Sequence, residues 1–98
     1  MQNSNDISIS IERIKQMERL YDNVNDALSD NPASIHKSKA LKTAIIILED
    51  YYSKGLWLHD YSLDEDGFLP PELKRGVLSQ DALYNLFCEI ESLKKGGD

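Results

Sequence analysis

A single cysteine, Cys88, stands in the 98 residues. It excludes a disulfide framework within the chain and suits a reducing compartment. Proline and glycine are scarce, three and five respectively, and charged residues make up 29% against 41% hydrophobic, the balance of a globular rather than a disordered chain. No apolar run is long. The longest, Ala44 to Leu48, has five residues, far from the ~20 that span a bilayer, so no membrane association is expected. Basic residues number 11 against 17 acidic ones, a net charge of −6, which disfavours binding that works by neutralising nucleic-acid phosphates. The opening MQNSNDISIS lacks the basic and apolar regions of a secretory signal, and a cytoplasmic location of bacterial type is expected.

What is present is helical periodicity. Ile14, Met17, Tyr21, Val24 and Leu28 recur every three or four residues and predict a first helix from about Ile9 to Leu28, ended by Asp30-Asn31-Pro32. A second helix is expected from a Ser34 cap to Gly55, with the AIIIL run enclosed nearly all round. Ser79 is the expected cap of a third, carrying Leu83, Leu86, Phe87, Ile90 and Leu93 on one stripe. The reading is one all-α domain over residues 1–98, a three-helix antiparallel bundle-like arrangement with residues 1–7 and 95–98 frayed.

Between the second and third helices lies a stretch too rich for an ordinary loop. Residues 51–79 hold the one Trp, three of the five Tyr, two of the three Pro and three of the five Gly. Most connections run about four to six residues, so this long connector must carry structure of its own. A packed Ω-like segment is expected across residues 55–79, with a one-turn helix entered at Pro70-Pro71, anchored by Leu73 and left at Gly76.

Four constellations bear on chemistry. Ser62, Asp64, Asp66 and Gly67 overlay a calcium loop, but position twelve is Leu73 and Glu72 falls one place early; starting at Asp60 puts Glu65 where glycine is needed. The competing reading is a turn with Gly67 at positive φ. Glu18, Asp22, Asp26 and Asp30 form an acidic ridge, expected to be solvated and paired with Lys37, Lys39 and Lys42, or else to dock a basic partner. Tyr52, Trp57, Tyr61 and Phe68 are either core or a contact surface. Lys74 and Arg75 are expected to be counter-charges for the neighbouring acidic loop. His36, His59 and Cys88 have no partners at metal-ligand or redox spacing, no glycine loop cradles a phosphate, and no cofactor is implied.

RIKQMERLYD at Arg13–Asp22, IIILEDYYSKGLWLHDY at Ile45–Tyr61 and, above all, LPPELKRGVLSQDALYNL at Leu69–Leu86 resemble the bacterial domain-of-unknown-function family 4298. The likeness runs from about Ile11 to Leu93. It implies a helical bacterial protein and carries over no activity, substrate or catalytic residue. The function expected is a small noncatalytic interaction or regulatory module that contacts a protein partner, or a second copy as a homodimer, through Trp57, Asp60, Tyr61, Asp64, Asp66, Lys74 and Arg75. The alternative is a divalent-cation-binding protein or small metal-dependent enzyme using Asp60, Asp64, Asp66 and Glu72 as oxygen ligands.

Overall fold

The computed structural model describes residues 4–96, with side chains described over residues 6–93. These residues are all-α, with no strand among them. Helix α1 spans Ser4–Asp30, α2 Ser34–Lys37, α3 Lys39–Ser53, α4 Leu56–Glu65 and α5 Ala82–Gly96, and a 3₁₀ turn at Gly76–Leu78 precedes the last. At ~1.5 Å per residue α1 is ~40 Å long. It accounts for most of the 49 Å long axis of a molecule 20 and 18 Å across.

Helix α1 starts earlier than expected, taking in residues 4–7, and the last helix runs on through residues 95–96, also expected to be frayed; the expected fraying of residues 1–3 and 97–98 lies outside the described residues. The predicted second helix is interrupted. Ser38 adopts an extended conformation (ψ 122°) and its hydroxyl accepts the Leu41 N–H at 3.2 Å, so the cap of the long helix is Ser38. Ser34 instead donates its hydroxyl to the Asn31 carbonyl at 2.7 Å, closing the turn that leads from α1 into the short α2.

Gly55 leaves α3 at φ 97°, where a side chain would be strained, and its carbonyl accepts from His59 to open α4. The first part of the connector is therefore a ten-residue helix rather than an irregular loop. Asp66 and Gly67 end it, Gly67 at φ 80° as the turn reading expects. Pro70 accepts the Leu73 N–H in a single turn and Leu73 is buried, but the helical turn itself lies further on, at Gly76–Leu78.

One contiguous core joins all these elements. Ile14 and Val24 of α1, Leu48 of α3, Leu63 of α4, Val77 of the 3₁₀ turn and Leu83 of α5 are each at most 2% exposed. Burying side chains of this size stabilises by roughly 1.5–3 kcal/mol each, so the connector contributes to the core on the same terms as the long helices. Helices α1 and α3 run antiparallel. The short α2 link joins the end of one to the start of the other, and Arg13 near the start of α1 meets the same carboxylate as Tyr51 near the end of α3.

Candidate functional site

Two sets of side chains emerge from the 55–81 segment, one turned inward and one outward. The inward set is built on Asp60, which is fully buried. Its Oδ2 accepts Arg13 Nε at 2.9 Å and the Tyr51 hydroxyl at 2.8 Å, and its Oδ1 accepts Arg13 Nη2 at 2.7 Å. Arg13 Nη2 also donates to Ser10 Oγ at 3.0 Å. The Asp60 bond holds the Arg13 guanidinium above its ordinary pKa, while burial and then the Asp60 charge push the Tyr51 phenol well above its own. An enclosed, satisfied carboxylate cannot face a partner or a solvent-borne cation. Asp60 is therefore a tie between α4, α1 and α3, not a surface residue.

A second tie comes from the acidic ridge. Glu18 is 7% exposed and accepts the Val77 N–H at 2.9 Å, fastening the 3₁₀ turn to α1. A Cβ at Gly76 would sit 3.1 Å from Glu18 Oε2, so any larger residue there requires the carboxylate to give by a few tenths of an ångström. Asp22 pairs with Lys74 at 3.3 Å. Among the described residues Glu18 and Asp22 are thus partnered by the connector, Asp26 and Asp30 are exposed, and no ion pair joins the ridge to Lys37, Lys39 or Lys42. Arg75 pairs with Asp64 and donates to the Pro70 carbonyl at 2.9 Å, the internal counter-charge expected of it.

The structure consequently scatters the four carboxylates of the cation reading. Asp60 is interior, Asp64 is bound to Arg75, Asp66 is exposed at the end of α4 and Glu72 is exposed in the next turn. No group of three or more metal-ligating side chains occurs among the described residues.

The outward set is aromatic. Trp57 and Tyr61, one turn apart on α4, stack with centroids 5.0 Å apart and planes at 17°. Trp57 donates its indole N–H to the Val77 carbonyl at 3.0 Å, which fixes the ring. Tyr52 tilts against Trp57 at 5.3 Å and meets Phe87 edge-on at 5.8 Å. Tyr52, Trp57 and Tyr61 form the floor of an open groove of 510 Å³ that Leu58, Gln80, Asp81 and Tyr84 complete. Leu58 is 59% and Tyr84 58% exposed, so the rim is apolar and uncovered. Phe68, 48% exposed, lies outside the groove. A hydrogen bond with Cys88 raises the Tyr84 phenol above its ordinary pKa.

Sequence reasoning found Trp57 and Tyr61 but missed Leu58 and Tyr84. Each sits beside a core position, and the signal available was an apolar residue displaced from its helix's buried stripe. A second groove of 360 Å³, between α1 and residues 70–74, includes Glu18, Asp22 and Lys74, whose charges are already engaged within the chain.

The described residues form an all-α domain with its polar ties turned inward. The chain belongs to the family described as Domain of unknown function (DUF4298), whose model matches residues 14–95. Comparison with curated proteins and with solved structures finds no match. No helix is long and apolar enough to cross a membrane among the described residues.

Proposed function

We propose that the chain is a small noncatalytic interaction or regulatory module of the cytoplasm that docks a protein partner in the aromatic groove between α4 and α5. The observation that carries this reading is the groove itself: a Trp and a Tyr stacked and held in place, ringed by Leu58 and Tyr84 at more than half exposure. Large apolar side chains left open to water lose the stabilisation that burial would add, and rigid aromatic rings dominate the binding energy of protein interfaces. Asp81 on the groove wall and the net charge of −6 favour a partner whose matching surface is cationic.

Affinity capture with the full chain and with a Leu58→Glu/Tyr84→Ala variant tests it. Both side chains are exposed, so the variant stays folded, and circular dichroism verifies this. A protein captured by the wild type and lost from the variant, with affinity reduced on the order of 30-fold, supports the reading. Identical captured sets contradict it.

A further inference from the structure

A different face, between α3 and α5, carries an uncovered apolar groove of 540 Å³ lined by Ile45, Ile46, Tyr84, Phe87 and Ile90. Contrary to expectation the AIIIL run is not enclosed: Ala44 and Leu48 face the core, while Ile46 is 57% exposed and the adjoining Ile47 38%. The charges flanking it on α3 have a pattern. Lys42, Ile45, Ile46 and Glu49 all line the groove, and their spacing reads the same in both directions from the midpoint between Ile45 and Ile46, except that one end is a cation and the other a carboxylate. Neither the Lys42 ammonium nor the Glu49 carboxylate has a hydrogen-bond or ion-pair partner among the described residues.

A two-fold axis requires a surface to be complementary to itself. When two copies of α3 lie antiparallel across an axis at that midpoint, Lys42 of each faces Glu49 of the other, and Ile45 of each faces Ile46 of the other. A parallel arrangement sets like charge on like charge, and a foreign helix has no need of this symmetry. We infer that the α3–α5 groove is a homodimer interface in which α3 packs antiparallel on α3 of a second copy, about a two-fold axis between Ile45 and Ile46. Tyr84 lines both this groove and the aromatic one, whereas Leu58, Trp57 and Tyr61 lie outside the α3–α5 face, so a variant at Leu58 alone distinguishes the two surfaces.

Sedimentation velocity on the full chain tests it with paired charge reversals. Lys42→Glu sets carboxylates against carboxylates and Glu49→Lys sets cations against cations; each alone weakens self-association at least about tenfold. An equimolar mixture of the two variants associates as a heterodimer, because every end pair then joins opposite charges. The double variant Lys42→Glu/Glu49→Lys recovers wild-type self-association, and Ile46→Glu, at an exposed position, gives a folded monomer. Leu58→Glu leaves association unchanged, which separates this result from the partner-docking test. A wild-type chain that stays monomeric up to about 1 mM overturns the inference and leaves the groove to a foreign helix. A dimer indifferent to Ile46→Glu and to the charge reversals, or a mixture that fails to associate, overturns it as well.

Discussion

Arg13 grips both oxygens of Asp60 across 47 residues of sequence, at 2.9 and 2.7 Å. The carboxylate is inaccessible to water and the guanidinium side chain only 18% exposed. A buried pair of this kind is weak evidence of net stabilisation, but removal of one member strands the other. Asp60→Ala is expected to lower unfolding free energy by about 3–5 kcal/mol, and the paired change Arg13→Met/Asp60→Leu by much less. Urea denaturation of the three proteins measures both. An Asp60→Ala variant as stable as the wild type contradicts the assignment of Asp60 as the tie between α4 and α1.

Tyr51 gives the same cluster a pH signature. Its folded pKa is raised by burial and by Asp60, so its contribution is complete below the unfolded value of about 10 and is lost as pH rises from there toward the folded value. The stability difference between wild type and Tyr51→Phe is expected to be constant near neutrality and to shrink above pH ~10, by up to about 1.4 kcal/mol per pH unit. Denaturation midpoints of both proteins between pH 7 and 11 supply the measurement. Parallel curves contradict the expectation.

Glu18 supplies the acceptor for a buried backbone donor, the Val77 N–H. Glu18→Ala leaves that donor unpaired and is expected to cost about 1–3 kcal/mol; Glu18→Gln, which keeps an oxygen in place, costs less. Asp26→Ala and Asp30→Ala, on exposed positions of the same ridge, are expected to fall within about 0.5 kcal/mol of the wild type. Thermal denaturation of the four variants reads out the contrast.

The break between α2 and α3 separates two serines that look alike in sequence. Ser38→Ala removes the acceptor for the Leu41 N–H and is expected to cost about 1 kcal/mol. Ser34→Ala, whose hydroxyl bonds an exposed turn carbonyl, is expected to cost less than about 0.5 kcal/mol. Equal costs would contradict the helix boundary.

The long helices were legible because each keeps one apolar stripe: Ile14, Val24 and Leu28 on α1, Ala44, Leu48 and Tyr51 on α3, Leu83, Leu86 and Ile90 on α5 are all buried as their periodicity predicts. Helix α4 was not, since its pattern is inverted. Charged Asp60 points into the core while Leu56 and Leu58 are exposed, and the helix has no clear apolar side. Only knowledge of a distant Arg13 makes a buried aspartate acceptable. The break at Ser38 was hidden for a related reason: Ile35 is buried on the same core, so the apolar spacing runs on across the interruption. The aromatic residues of the candidate site were visible in composition, whereas the rim formed by Leu58 and Tyr84 depends on how α5 lies beside α4.

Amide hydrogen exchange across residues 56–78 tests most directly whether the connector is an integral layer of the fold. Protection in α4 and at the Val77 and Leu78 amides is expected to match that of α3, because Asp60, Glu18 and Trp57 tie these elements to the same core. Exchange of those amides at the rate of free peptide, while α1 and α3 remain protected, would contradict the account.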